Sequence, residues 1–344
     1  MSRRDLWVVV AALGAAAAGA DGGSPSEFPP LGRAGADGSP SERAPLGRAG
    51  ADGGSPSERA PLGRTAADGS PYERVPASLG PAAVYGWRIA GLGGYTKGHG
   101  AWDGYAARLE GGGGGGAFSV LAPLGGCGAD AGNLSKTSAT AAAAGCDYAV
   151  NASPFVPDTG ACLGQSFSNG TAICPACAPT AEPALGLSTG VAPEWVLGEI
   201  SADTAADLGL TEVAAGHAGW LVRGGANVAN ATGSATVAPR TAIGVDASGS
   251  LLLLEVDGCE QCRRSRGGPQ GLTLVQLADA MLDLGALHAI NLDGGGSSAT
   301  AVNGTVLDFP TDTDSFSRAY NERAVSTVVC VRAPLFDGGQ GGRR

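Results

Sequence analysis

Lysine is almost missing from this chain. Among 344 residues only Lys97 and Lys136 are lysines, the net charge is −10 and the sequence pI is about 4.8. No segment carries a basic stripe, so nucleic acid is not an expected partner. Long apolar runs are scarce too. Leu6 to Ala18 is the longest near the N-terminus, shorter than the roughly 20 residues that a bilayer-crossing helix needs, so no membrane span is expected in the mature chain. Histidine occurs only at His99, His217 and His288. They are isolated, offer no metal-ligand spacing and stand near no G-x-S-x-G elbow, which argues against a metal centre and a serine or cysteine triad. His288 falls on an expected strand and reads as a core or edge residue. No cofactor is expected.

What is present points to export. Arg3 and Arg4 precede the apolar stretch, and Ala18-Gly19-Ala20 fits a small-x-small cleavage site, so residues 1–20 read as a secretory signal. Eight cysteines suit an oxidising compartment. Sequons at Asn133, Asn151, Asn169, Asn230 and Asn303 agree with it weakly. The expected localisation is the secretory pathway, ending in a lumenal (Golgi- or lysosome-like) or extracellular space. The pairs Cys174/Cys177 and Cys259/Cys262 could hold zinc as four thiolates, but disulfides, local or crossed, fit the compartment better.

Residues 21–80 read as a linker or pro-segment. Ser-Pro recurs at Ser24, Ser39, Ser55 and Ser70 in a Pro/Gly/Ser-rich repeat with one leucine per unit. Such a unit buries too little to offset its ordering entropy. Ordered structure is expected near Val84, giving a domain over 81–335 and a tail over 336–344. "VYGWRI", "FSVLAPL", "ALHAINL" and "AVSTVVCV" read as strands, and Gly111 to Gly116 as a variable loop. "SKTSATAAAAG" reads as a helix capped by Ser135 or Thr137 and stopped by Gly145. "TLVQLADAMLDLG" reads as an amphipathic helix capped by Thr273. "RTAIGVDASGSLLLLEVDG" reads as two strands around a turn at Asp246 to Gly249, and "SATAVNGTVL" as a hairpin with Asn-Gly at its tip. Helices and strands mix without strict alternation. The fold class is therefore α+β (mixed α/β), with a largely antiparallel sheet and packed helices.

One stretch carries chemistry: "INLDGGGSSAT", residues 290–300. Gly294, Gly296 and Ala299 fit G-x-G-x-x-A, but a hairpin follows where a dinucleotide site needs a helix. No Gly-Lys-Ser/Thr follows either, so a P-loop is not the reading. Pattern alone leaves Asp293 between two roles: a turn residue capping its own backbone, or a carboxylate beside glycines whose N–H groups could hold an oxyanion.

Several ordered motifs resemble the phosphodiester glycosidase family. They are Pro239-Arg240-Thr241-Ala242-Ile243-Gly244, Ile290 through Ser297, Arg323-Ala324-Val325-Ser326-Thr327, "FSVLAPLGGC" (118–127), "GACLG" (160–164) and "GWLVRGG" (219–225). The resemblance covers roughly residues 115–333. It implies hydrolysis of a sugar-1-phosphodiester, such as an N-acetylglucosamine-1-phosphodiester on a glycan. It implies Cys127–Cys162 and Cys146–Cys330 bridges. On this reading Asp293 acts at the sugar, and Arg240 and Arg323 grip the phosphate, although either arginine could equally be a structural pair at a strand end. Gly294, Gly295 and Gly296 supply backbone donors, and Asn151, Thr241, Asn291 and Ser297 bind sugar hydroxyls. Glu255, Asp257, Asp312 and Asp314 are candidates for a second carboxylate. The chain departs from the family at Asn151-Ala152-Ser153-Pro154-Phe155, where the family has glycines after the asparagine. Two side chains and a proline there would intrude if substrate passes close to that backbone, and a buried Asn151 would leave its sequon unused. The rival readings are a non-catalytic carbohydrate-binding protein and a phosphodiesterase that cuts P–O.

Overall fold

The computed structural model describes residues 70–91, 102–114, 116–123, 133–175, 177, 180–229, 236–258, 271–310, 312–313 and 320–337. All lie in one compact unit, Leu62–Arg344. The expected signal, most of the repeat segment, Cys127, Cys259, Cys262 and Asp314 lie outside the described residues.

The unit is mostly sheet. An eight-stranded sheet runs in the order Ala226–Asn227, Trp220–Arg223, Ala286–Asn291, Arg240–Asp246, Leu251–Val256, Trp102–Glu110, Ala83–Gly91, Leu335–Asp337. A five-stranded sheet runs Thr305–Val306, Thr300–Val302, Tyr148–Asn151, Val328–Val331, Phe118–Leu121. A six-stranded sheet runs Glu73–Pro76, Glu194–Gly198, Ala184–Ser188, Leu210–Ala215, Phe167–Ser168, Thr171–Ala172. Among the described residues every pairing is antiparallel except Val84–Gly86 with Leu335–Asp337.

The run "LLLLEV" explains the layering. Leu251 and Leu253 enter a core shared with Phe118, Tyr148, Leu187, Trp195 and Ile290, which come from all three large sheets. Leu252, Leu254 and Val256 point the other way, into a second core with Leu277, Ala278 and Met281 of the helix Leu274–Asp283. A strand covered on both faces needs no polar alternation. Thr273 caps that helix in a capping box with Gln276. Asn303 (φ 50°) and Gly304 (φ 74°) make the hairpin tip. Helices are few: Thr137–Ala144 and Ala202–Asp207 are the other α-helices among the described residues, so sheet outweighs helix more than expected.

Four expectations need correction. The Thr137–Ala144 helix is capped by neither Ser135 nor Thr137. Its N-cap position is Lys136, and Glu322 reaches in from far along the chain, accepting from the Ser138 N–H (2.7 Å) and hydroxyl (2.6 Å). Gly111, Gly112 and Gly113 are buried rather than a variable loop, with Gly112 and Gly113 against Leu109 and Ala77. Ordered structure starts before residue 80: Glu73–Pro76 pairs with Glu194–Gly198, Val75 enters the main core, and Glu73 bonds Arg223 at 2.7 Å. At the other end Leu335–Asp337 forms a strand inside the stretch expected to begin a tail. Val75→Ala should therefore lower the thermal midpoint by a few degrees, from roughly 1–2 kcal/mol of lost burial. Calorimetry checks it; an unchanged midpoint would mean the strand adds nothing.

Cys146 and Cys330 form a disulfide across 184 residues, and Cys174 and Cys177 form a local one. Cys162 is also disulfide-bonded. No helix among the described residues is long and apolar enough to cross a membrane.

Candidate functional site

The site forms where the ends of two sheets meet. Asn151 ends a strand of the five-stranded sheet, and Thr241 and Asn291 lie at strand ends of the eight-stranded sheet. Thr241 Oγ1 donates to Asn151 Oδ1 (2.6 Å), and the Ala299 N–H donates to the same oxygen (3.2 Å). Asn151 Nδ2 in turn donates to the Asp293 carbonyl (2.7 Å). The Asp293 N–H donates to the Ala152 carbonyl (2.9 Å), and the Leu292 N–H to the Thr241 carbonyl (2.8 Å). The backbone of Asp293 is thus fixed from both sheets.

Asn151, Thr241 and Asn291 are fully buried, so their side chains meet protein rather than solvent. These three hold the Asp293 loop in place, and the buried Asn151 cannot be reached for glycosylation in the folded chain. Ser297 is buried as well, beneath the loop.

Asp293 itself is half-buried. Its Oδ1 accepts the Gly294 N–H (3.0 Å), and Ser297 bonds the carboxylate through its side chain. Ser297 Oγ also accepts from Arg323 Nη1 (3.2 Å). Burial pushes the Asp293 carboxyl above the usual aspartate range; the Ser297 and Gly294 bonds and the charges of His217 and Arg323 oppose the shift without cancelling it. Arg323 therefore belongs to the site. Arg240 lies beside the loop, its Cδ 3.8 Å from where a Cβ on Gly294 would sit. Its guanidinium, however, donates to the carbonyls of Leu272 (3.1 Å) and Thr236 (2.8 Å), which makes it a brace for the loop wall.

The glycine triplet is not a row of free donors. The Gly294 N–H serves Asp293 and the Gly295 N–H serves the Pro239 carbonyl (2.9 Å), while Gly295–Ser297 closes a 3₁₀ turn. Asp246 is a turn residue: its Oδ1 accepts the N–H groups of Ser248 and Ser250, and it pairs with Arg108. The Asp312 side chain lies outside the described residues.

His217 was not a candidate from the sequence. Its N–H donates to the Asn291 carbonyl, and its own carbonyl accepts from Asn291 Nδ2, both at 2.8 Å. The ring is exposed and close enough to Asp293 to stabilise its charge. The neighbouring Ala218 sits at φ 60°, a conformation that non-glycine residues rarely hold. Gly216 is packed so tightly that an added Cβ would lie 2.3 Å from the Pro183 carbonyl. "GHAG" carried this signal only weakly, because the pairing of Asn291 with His217 spans 74 residues.

The departure at 152–154 does not intrude on the site. Ala152 packs in the main core. The Ser153 hydroxyl bonds Ser166 Oγ (2.8 Å) and accepts the Ala215 N–H (2.9 Å). Both are about 1% exposed, so their side chains face protein rather than ligand. Pro154 is buried and accepts the Leu163 N–H at 2.9 Å.

The arrangement is a carboxylate held on a glycine turn between two sheets, beside an arginine bonded to Ser297 of the same turn. The family model for phosphodiester glycosidases matches residues 144–332. The chain belongs to the phosphodiester glycosidase family. It is 31% identical over 237 residues to the bovine and human N-acetylglucosamine-1-phosphodiester alpha-N-acetylglucosaminidases, covering 63% of this chain. The match covers 42% of the bovine protein and 44% of the human one, so it spans less than half of either. The solved catalytic domain of the zebrafish N-acetylglucosamine-1-phosphodiester alpha-N-acetylglucosaminidase, auto-inhibited by its pro-peptide, superposes with a TM-score of 0.63. That match has 25% identity over 76% of this chain and 87% of the zebrafish domain.

Proposed function

We propose that the chain is a glycoside hydrolase of the secretory pathway that cleaves the glycosidic bond of a sugar-1-phosphodiester, with an N-acetylglucosamine-1-phosphodiester on a glycan as the substrate class. One observation carries the reading: a half-buried Asp293 carboxylate and the Arg323 guanidinium share Ser297, so anion-binding and cation-stabilising groups sit side by side. Water adds its oxygen to the anomeric carbon and gives up one proton to solvent, the C1–O bond breaks, and the phosphate monoester leaves with the electron pair. Such a leaving group is already a weak base, so no strong general acid is required, unlike ordinary glycoside hydrolysis. Asp293 stabilises the oxocarbenium-like transition state; Arg323 and the exposed His217 face the phosphate side. Arg240, Asn151, Thr241, Asn291 and Ser297 position the loop. The rival non-catalytic reading loses its main support, since Ala152 packs in the core and the Ser153 hydroxyl is buried against Ser166 and Ala215.

Phosphate recognition is tested with two substrates, a GlcNAc-1-phosphodiester and a neutral aryl GlcNAc glycoside. Arg323→Gln should cut kcat/KM for the diester by about 10²-fold or more, as loss of a charged hydrogen bond does, and spare the neutral glycoside. Equal losses on both would sink the phosphate role.

The pH profile gives a second test. A raised Asp293 pKa means the ionised form appears only above the ordinary aspartate midpoint, so kcat/KM should fall on the acid side with its midpoint above about 3.9. Arg323 stabilises the carboxylate charge, so Arg323→Gln should move that midpoint higher. A shift downward would contradict the assignment.

A further inference from the structure

Three carboxylates outside the Asp293 loop converge. Glu255 is in the strand Leu251–Val256, Asp257 follows that strand, and Asp308 follows the hairpin Thr300–Val306. Each offers an oxygen, and these atoms all lie within 4.8 Å of one another. The two aspartates are clamped: Asp257 Oδ1 accepts the Phe309 N–H (2.8 Å) and Asp308 Oδ1 accepts the Thr300 N–H (2.7 Å). Glu255 is only 1% exposed, yet among the described residues neither of its oxygens has a hydrogen-bond partner; nor does Asp308 Oδ2.

A buried carboxylate without a partner is costly, and three sharing one spot repel each other as well. Either a proton or a cation must relieve them. The clamped geometry favours a cation. Asp257 is held by the backbone N–H of Phe309, the residue after Asp308, and Asp308 is held by the Thr300 N–H of its own hairpin, so the two carboxylates are tied into one place rather than splayed apart. The donors are all hard oxygens, which select calcium or magnesium over softer metals. Calcium holds oxygens at about 2.3–2.6 Å, so two ligands of one ion stand up to about 5 Å apart; magnesium, at about 2.0–2.1 Å, needs them nearer than about 4.2 Å.

We propose that Glu255, Asp257 and Asp308 form a divalent-cation site, with calcium as the preferred ion. The ion would be a brace for the framework beneath Asp293. Glu255 is the cross-strand partner of Thr241. The Thr300 N–H bound by Asp308 follows Ala299, whose own N–H holds Asn151.

The test uses the full chain, stripped with EDTA and titrated with calcium chloride or magnesium chloride by calorimetry, with the thermal midpoint read in parallel. The expected result is one calcium per chain with Kd at or below about 1 mM, weaker magnesium binding, and a calcium-dependent rise in midpoint of several degrees. Glu255→Gln should abolish binding and rise while matching or exceeding the EDTA-treated wild type in midpoint, because it removes repulsion. Asp308→Asn provides the same reading if the first variant folds poorly. Absence of a calcium effect up to about 10 mM, beyond the range of weak calcium modules, overturns the proposal, as does a calcium effect that survives both substitutions. Calcium binding and the thermal midpoint are both read without substrate, so this result stands apart from the hydrolase reading.

Discussion

Asp293→Asn should leave the fold intact and lower kcat for a GlcNAc-1-phosphodiester by about 10²-fold or more. The structure explains why the two effects separate. The backbone of Asp293 holds the loop, through its N–H to Ala152 and its carbonyl to Asn151. The side chain makes only local bonds, to Gly294 and Ser297. An asparagine oxygen can still accept the Gly294 N–H, so the turn survives while the negative charge is gone. The acid limb of the pH profile should vanish with it. An Asp293→Asn variant with near-normal turnover would remove the carboxylate from the mechanism and leave it a turn residue.

Removing the Cys146–Cys330 bridge should be the largest single loss of stability. Both sulfurs are buried in a small core with Ala141, Phe155 and Val328, and the bridge closes a loop of 184 residues. Chain-entropy reasoning gives about 5 kcal/mol for a loop of that size, an upper figure because engineered cases often fall short. The Cys146→Ala/Cys330→Ala variant should therefore unfold at much lower denaturant. Activity should fall with stability, because Cys330 lies in the strand Val328–Val331, in which Val328 pairs with Asn151. Breaking Cys174–Cys177, only three residues apart, should matter far less. Denaturant curves for both variants, with and without reductant, decide it. Equal small effects would contradict the account.

Local features were legible in the sequence. The helix cap at Thr273, the Asn303-Gly304 hairpin and the turn at Asp246 are set by residues a few positions apart, and all formed as expected. Features set by distant chain segments were not. Glu322 capping a helix 184 residues away leaves no mark near Ser138. The burial of Asn151 and Thr241 follows from two sheets meeting end to end, which no periodicity announces. The motifs marked where the site lies, but not which of its residues face outward. His217 shows the same limit, since it reaches Asp293 only through the pairing of its loop with Asn291. Residues 152–154 looked obstructive as text, yet all three are buried, with Ala152 in the main core and the Ser153 hydroxyl bonded to Ser166 and Ala215.

The proposed hydrolysis breaks the bond between the sugar and the phosphate oxygen. Turnover of a GlcNAc-1-phosphodiester in oxygen-18 water, with both products analysed by mass spectrometry, tests it most directly. Cleavage at the anomeric carbon puts the label in the free sugar and leaves the phosphomonoester unlabelled. Label in the phosphate, or no product at all from a folded chain, would contradict it.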